Sequence, residues 1–366
     1  MEFMYEYGLF LAKAVTFVIA IAAIVVLVAS ASMRNHSPDK GHIEVTKLNE
    51  KYEDIVDGIK SVVVDESVLK LEDKARKKQE KDAKKLAKVQ AKAAKKAAKS
   101  AEEGDDVSKE SEHEQKKRVF VTSFDGDIKA SDTENLRKVI SAVMALATKD
   151  DEVVVRLESQ GGMVHSYGLA SSQLARITEK GVPLTVCVDK VAASGGYMMA
   201  CVANKIVCAP FAIIGSIGVV AQLPNFHKLL KKNDIDYEML TAGEYKRTLT
   251  MFGENTEKGR KKFVEDLEDT HVLFKDFIQQ NRAIVDVEKV ATGEIWFGSR
   301  ALEEKLVDAI QTSDQYLQDC CKNSDVFEIS FQVKKSLPEK LGIGVEMAVD
   351  RVFSDWMQKL NNKIFS

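Results

Sequence analysis

The sequence predicts an α/β fold in which short strands alternate with helices along the second two thirds of the chain. The first observation is a set of apolar, β-branched runs such as residues 152–157 and 183–188, which are typical of strands covered on both faces. The second is that segments with helical periodicity separate these runs, as at residues 136–146. Strands that alternate with helices in this way usually pair in parallel, and the helices form right-handed crossover connections between them.

Composition limits the class of protein. The chain has 366 residues, 45% hydrophobic residues and a formal net charge of −3, as expected of a globular protein with a sizeable core. This balance gives no reason to expect a nucleic-acid partner. The five cysteines lack metal-ligand spacing, and Cys187, Cys201 and Cys208 fall on or beside buried elements, so we interpret these three as small core residues. We predict no disulfide, no metal site and no cofactor.

Residues 14–32 carry no charge, and they lie between Lys13 and Arg34. Nineteen such residues in a helix are about long enough to cross a bilayer core of ~30 Å, so we predict an uncleaved anchor in membrane lipid. The alternative is a cleaved signal peptide, because residues 29–31 have the small-x-small pattern of a cleavage site. The basic residues after the anchor outnumber those before it, which by the positive-inside rule places the bulk of the chain in the cytoplasm.

Five regions follow from these patterns. Residues 70–99 are rich in Ala and Lys and are followed by an acidic run, so we interpret the region as a solvated spacer, although a basic run can also bind anionic lipid or nucleic acid. The predicted regions are a transmembrane anchor (1–33), a short amphipathic segment (34–69), a charged helical or disordered linker (70–117), a globular domain (118–335) and a C-terminal amphipathic helix (336–366).

The helices and strands of the globular domain are predicted from the spacing of apolar residues and from the residues that typically begin or end such elements. Ser131 and Glu134 have the spacing of a capping box at the start of its first helix. The predicted strands are 119–122, 152–157, 183–188, 205–208, 216–221, 236–241 and 326–333. The predicted helices are 131–146, 166–180, a short one after residue 194, 225–232, 255–283, 300–305 and 314–321.

The most informative stretch follows the strand at 183–188 and reads Ser194-Gly195-Gly196 before an apolar helical segment. Ser194 is therefore predicted at a sharp turn from strand to helix, where a helix N-terminus offers unpaired N–H groups to a developing oxyanion. That position suits a nucleophile. The alternative is that Ser194 is only an N-cap in front of two turn glycines.

Further motifs stand before and after Ser194 in a fixed order. Gly161-Gly162 ends a predicted strand, Gly215-Ser216-Ile217-Gly218-Val219 follows the nucleophile turn, and Lys246 lies 52 residues after Ser194. Residues 293–298 and 306–308 complete the set. With these motifs the chain, over residues 119–312, resembles peptidase family S49 of signal peptide peptidase A, and within it the SohB-type membrane-anchored branch.

The resemblance implies a Ser–Lys dyad, with Ser194 as nucleophile and Lys246 as general base. It also implies that Gly195 and the Gly161-Gly162 loop hold the oxyanion and that Ser216 positions the lysine amine. From the residues alone, Lys246 is interpreted as an ordinary surface lysine and Ser216 as a turn residue. His165 and His227 are the alternative bases among the six histidines.

Fold and assembly are also implied by the resemblance. It implies a ClpP/crotonase-like spiral of β-β-α units and a homo-oligomer in which neighbouring subunits share each dyad. It further implies a bacterial inner-membrane protein with a periplasmic catalytic domain. This is the opposite side of the membrane from the one that the positive-inside rule predicts. The chain departs from the family at the loop that usually reads Asn-Ser-Pro-Gly-Gly, because here it reads Glu158-Ser159-Gln160-Gly161-Gly162.

The function implied is a membrane-anchored serine endopeptidase that cleaves membrane-associated or exported peptides, such as signal-peptide remnants or misfolded protein. One alternative is a catalytically idle membrane scaffold or partner-binding subunit on the same fold. The other is a crotonase-type acyl-CoA enzyme, which normally needs no serine nucleophile and is therefore disfavoured by Ser194 with Lys246.

Overall fold

The computed structural model describes residues 41–71 and 116–333, together with residues 7–11, 13, 15–17, 74, 75, 78, 81 and 85. Most of the anchor predicted over 14–32 and of the linker predicted over 70–117 lies outside the described residues, as does the whole C-terminal segment from 336. Within the described part, no helix combines the length and the apolar character that crossing a bilayer requires.

The described residues divide into two compact units. The larger comprises residues 45–330, and the smaller takes in the described residues at the two ends of the chain, up to 44 and from 331. The strands are β1 Gly41–Lys47, β2 Arg118–Gly126, β3 Glu152–Ser159, β4 Leu184–Val188, β5 Val191–Ala193, β6 Lys205–Cys208, β7 Ile213–Gly215, β8 Ile295–Phe297, β9 Ala309–Ile310 and β10 Asp325–Val333. The helices are α1 Leu48–Val63, α2 Thr133–Leu146, α3 Val164–Glu179, α4 Gly195–Ala200, α5 His227–Lys232, α6 Glu257–Asn281, α7 Val287–Val290, α8 Gly298–Glu303 and α9 Ser313–Asn323.

A single sheet contains the described strands, and its main path runs β1-β10-β2-β3-β4-β6-β9. The neighbours from β10 to β9 pair in parallel, as the alternating order predicts. A branch leaves this path at β3, where β5 pairs in parallel with β3 and β7, and β8 closes the branch antiparallel to β7. The branch is important for function because it carries the turn at Ser194.

The centre of the sheet is apolar on both faces. Val121, Val154 and Val186 on β2, β3 and β4 are fully buried, which explains their continuous β-branched runs. Cys187, Cys201 and Cys208 are also buried and free of disulfides, which confirms the prediction that they are core residues. Burial raises the pKa of Cys201 to about 12 and that of Cys208 to about 11, because the thiolate is poorly solvated there.

Two predicted strands and one predicted cap are wrong. Residues 216–221 form no strand because Gly215 and Ser216 both have positive φ, which ends β7 at Gly215. Residues 236–241 are exposed and form no strand, since no neighbouring described strand pairs with them. The capping box does not form either. Asp132 is the N-cap of α2, and Ser131 Oγ donates to the Asp127 carboxylate instead.

The Asp151 carboxylate ties together the N-terminal ends of β2 and β3. It accepts from Arg118 Nε at 2.9 Å and from Arg118 Nη2 at 2.6 Å, and the Thr148 N–H and hydroxyl donate to it as well. Burial alone would raise the pKa of Asp151, but these hydrogen bonds outweigh it and lower the pKa to about 2. The ionised carboxylate therefore stabilises the folded state.

We expect Asp151→Asn to lower the free energy of unfolding by about 2 kcal/mol at pH 7. The folded pKa lies below the unfolded one, so this stability is present above about pH 4 and is lost as the pH falls towards 2. Urea unfolding of both chains at several pH values measures the difference. Asp150→Asn, which alters the exposed neighbour, is the control. Equal stability of Asp151→Asn and the native chain at pH 7 would contradict this account.

Candidate active site

Ser194 lies at the turn between β5 and α4. Its backbone has φ 52° and ψ −118°, a conformation that non-glycine residues rarely adopt and that typically costs about 1–3 kcal/mol. The Ser194 N–H donates to Gly215 O at 2.7 Å, and Ser194 O accepts from Met198 N at 2.9 Å. The surrounding structure thus fixes the strained turn, as it fixes the serine of a strand-to-helix nucleophile elbow.

The two glycines after Ser194 are required by close packing. A Cβ at Gly195 would lie 2.4 Å from the Tyr167 ring, and one at Gly196 would lie 2.6 Å from Ser159 O. Both distances are too short for any side chain. The turn therefore rests directly on the end of β3 and on α3.

The Gly161-Gly162 loop lies against the same turn. Gly161 has φ +86°, and a Cβ there would lie 2.7 Å from Gly195 N and 2.8 Å from Ser194 Cβ. The Gly161 N–H donates to Ser159 Oγ at 3.0 Å, so it is already used inside the protein. By contrast, the N–H groups of Gly162 and Gly195 have no hydrogen-bond acceptor among the described residues. Those two groups are free to bind an oxyanion.

A small pocket of about 20 Å³ opens beside Ser194. Its walls come from the Gly-Gly loop, α3, α4, α6 and the segment after β7. The residues that line it are Gly162, Val164, Ser194, Gly195, Met198, Gly218, Val219, Thr270 and Phe274. The side chains are mostly apolar, so the pocket can receive an apolar group next to the serine.

Ser216 lies beside the turn at Ser194. Ala193 and Gly215 are paired in the parallel ladder of β5 and β7, so the next residues of the two strands, Ser194 and Ser216, emerge side by side. Ser216 also has positive φ, 50°, and its N–H donates to Glu294 O at 2.7 Å.

Lys246 lies on a different part of the molecule. Its side chain is exposed, and the two preceding residues contact the first turns of α6, where Glu244 pairs with Lys258 at 2.5 Å and Tyr245 packs on Lys262. The pocket meets α6 at Thr270, eight residues beyond Lys262, or about 12 Å along the helix axis. Within the described part of one chain, the Lys246 amine makes no contact with Ser194.

The two histidines that the sequence offers as alternative bases are not hydrogen-bonded to Ser194, whereas a third histidine lies next to the pocket. His165 is exposed at the start of α3, and His227 begins α5; neither hydrogen-bonds to Ser194 in the part of the chain that is described. His271 was not expected near the site, yet its Nε2 lies 3.3 Å from Ile217 O, next to the pocket residues. Its place on a long charged helix gave no sequence signal for this.

Two buried residues behind the site were also missed as functional candidates. Ser159 and Tyr167 are 2% and 0% exposed. Ser159 contacts both the Gly-Gly loop and the turn at Ser194, while the Tyr167 ring lies against Gly195 and the Tyr167 hydroxyl hydrogen-bonds to Ser159. Tyr167 shows in sequence only as one member of an apolar helix face. No group of three His, Cys, Asp or Glu side chains within the described ranges is placed to hold a metal ion.

Comparison with known proteins assigns the chain to a family. Residues 176–326 match the profile of peptidase family S49, and residues 2–174 match that of the family's N-terminal part. The chain is 48% identical over 354 residues to the "Probable protease SohB" of Haemophilus influenzae, covering 96% of each chain. The chain belongs to peptidase family S49. The family expected from the motifs is thereby confirmed.

Other S49 relatives agree. The "Probable protease SohB" of Buchnera aphidicola subsp. Schlechtendalia chinensis is 46% identical over 317 residues, which is 87% of this chain and 99% of that protein. Among solved structures, the 1510-N membrane-bound stomatin-specific protease in complex with a substrate peptide matches at 13% identity. That match covers 62% of this chain and 96% of the other, with a TM-score of 0.38.

Proposed function

We propose that this S49 peptidase is a membrane-anchored serine endopeptidase in which Ser194 is the nucleophile and Lys246 the general base. The observation that carries the proposal is the strained turn at Ser194, which lies beside a pocket that is also lined by Gly162 and Gly195, the two residues with free N–H groups. A turn that is held in this way at a pocket is typical of a catalytic serine.

The chemistry follows from the groups around Ser194. A neutral lysine takes the proton from Ser194 Oγ, which then attacks a peptide carbonyl. The N–H groups of Gly162 and Gly195 bind the oxyanion that forms, while Gly161 shapes the loop without donating. The lysine returns the proton to the leaving amine, and water hydrolyses the acyl-enzyme. A lysine can act in this way only where burial disfavours its charged form.

The exposed position of Lys246 supports a dyad that is completed between subunits. In the monomer, residues 220–252 present a series of apolar side chains that are more than a third exposed. They are Val220, Leu223, Phe226, Leu229, Ile235, Tyr237, Met239, Leu240, Tyr245, Met251 and Phe252. Soluble monomers rarely expose so much apolar surface. A neighbouring copy that covers this segment would bury Lys246 and place it at the neighbour's Ser194.

Substrate and location complete the proposal. The apolar walls at Val164, Met198, Val219 and Phe274 favour peptides with an apolar side chain at the cleavage site, such as signal-peptide remnants or segments of misfolded exported protein. The uncharged run at residues 14–32 would anchor the enzyme in the bacterial inner membrane, with its catalytic domain in the periplasm. The sheet would follow the ClpP/crotonase-like spiral of the family.

A serine-directed phosphonofluoridate tests the proposal on the detergent-purified full chain. We expect a covalent adduct on the peptide that contains Ser194, and hydrolysis of apolar peptides that stops when the adduct forms. Ser194→Ala should show neither. Ser172→Ala, which removes an exposed hydroxyl on α3, should show both. An assembled native chain without an adduct and without hydrolysis of varied peptides would favour the idle scaffold instead.

A further inference from the structure

Ser159 and Tyr167 form a buried hydrogen-bonded pair behind the site. Their hydroxyl oxygens are 2.5 Å apart. The Gly161 N–H donates to Ser159 Oγ at 3.0 Å, and Tyr167 Oη donates to Asp127 O at 2.8 Å. Neither residue lines the pocket, so the pair touches no bound peptide there.

The hydrogen bonds of the pair form a chain between two backbone groups. A backbone N–H can only donate, and a carbonyl oxygen can only accept. The order that uses every close contact is Gly161 N–H to Ser159 Oγ, Ser159 O–H to Tyr167 Oη, and Tyr167 O–H to Asp127 O, with Gly126 O at 3.4 Å as a longer second acceptor for the Ser159 hydroxyl. Burial raises the pKa of Tyr167, so the phenol stays protonated and keeps donating. A chain of bonds polarised in one direction is mutually strengthening.

The same two residues also support the nucleophile turn. The Tyr167 ring occupies the space that a side chain at Gly195 would need, and Ser159 O does the same at Gly196. The two segments that carry the free N–H groups of Gly162 and Gly195 thus rest on one rigid pair. Their separation, which an oxyanion hole must hold within a fraction of an ångström, is set by that contact.

This support coincides with the departure from the family loop. Gln160 stands where the family usually has proline, a residue whose ring fixes φ near −65°. We propose that Ser159 and Tyr167 are positioning residues that hold the oxyanion-binding loop rigid in a chain whose loop has no proline at position 160 to help do so. The proposal rests on the proposed peptidase function, because only an oxyanion needs this precision.

Tyr167→Phe is the decisive variant, because it keeps the ring against Gly195 and removes only the hydroxyl. We expect kcat to fall at least tenfold, while KM stays within twofold because the pocket is untouched. Tyr316→Phe is the matched control. Tyr316 Oη donates to Glu152 at 2.5 Å, far from the turn, so its loss should affect stability but not kcat.

Rescue separates positioning from general destabilisation. Adding Gln160→Pro to Tyr167→Phe should recover most of the lost kcat, because residue 159 ends a strand and its extended backbone suits the position before proline. In the native background the same change should alter kcat less than twofold. Unchanged kcat in Tyr167→Phe, or a loss that Gln160→Pro leaves in place, would overturn the proposal.

Hydrogen exchange gives a readout that does not depend on activity. The amides of residues 160–163 should exchange at least tenfold faster in Tyr167→Phe than in the native chain or in Tyr316→Phe. If the native chain cleaves no peptide, the proposed peptidase fails while this measurement still decides whether the pair holds the loop. Equal amide exchange rates at residues 160–163 in all three chains would show that the pair does not hold the loop in place.

Discussion

Ser194→Ala and Lys246→Ala are each expected to lower peptide hydrolysis by about 10⁴-fold or more, and co-expression of the two variants is expected to restore activity. The losses follow because neither dyad member works without the other. Restoration follows because Lys246 is exposed and its neighbour Tyr245 packs on Lys262, which lies about 12 Å along α6 from the pocket residue Thr270, so we expect its partner serine in a neighbouring subunit.

The expected amount of restored activity is also defined. In a ring with head-to-tail contacts, random mixing gives about a quarter of the interfaces one intact Ser194 and one intact Lys246. Lys149→Ala, which changes an exposed lysine after α2 and outside the proposed interface, should be fully active alone. A mixed oligomer with no more activity than either parent would mean that the two residues do not meet between subunits.

Gly161→Ala is expected to lower kcat by about 10²–10³, the usual cost of losing one oxyanion donor. The added methyl would meet Gly195 N at 2.7 Å and Ser194 Cβ at 2.8 Å, and the residue has φ +86°, so the loop has to move away from the turn. That shift takes the neighbouring Gly162 N–H from its place. Steady-state kinetics, together with a check of thermal unfolding, measure the effect.

Gly168→Ala provides the control for the glycine prediction. Gly168 lies on α3, its φ is outside the left-handed region, and a Cβ there meets nothing within 4 Å. Alanine should be tolerated and should slightly stabilise the helix. If Gly161→Ala hydrolysed peptides as well as Gly168→Ala does, the Gly-Gly loop would have no part in binding an oxyanion.

Local pattern predicted the layers of the fold well. The runs at 152–157 and 205–208 are strands because both of their faces are covered, and that requirement shows directly in sequence. The error at 216–221 has a local cause, since an apolar run can enter a strand and leave it at two residues with positive φ. The spacing of apolar residues gives no information on the φ angle of a residue such as Ser216.

The site was predicted less completely. The turn at Ser194 and the Gly-Gly loop were found because glycines mark close approach of the backbone. Tyr167 was missed because its role depends on the hydroxyl reaching a loop 40 residues earlier in the chain. Such a contact exists only after the fold forms. The proposed dyad requires a second subunit, so neither sequence periodicity nor one folded chain would bring Lys246 to Ser194.

The three buried thiols, two on strands β4 and β6 and one at the end of α4, have a practical consequence. The thiolate is the form that reacts with alkylating reagents, and burial raises the pKa of Cys187, Cys201 and Cys208. Reagents therefore reach these sulfurs only when this layer opens. The rates at which these cysteines are alkylated therefore report how fast the strands around α4 open, and they give a direct measure of kinetic stability.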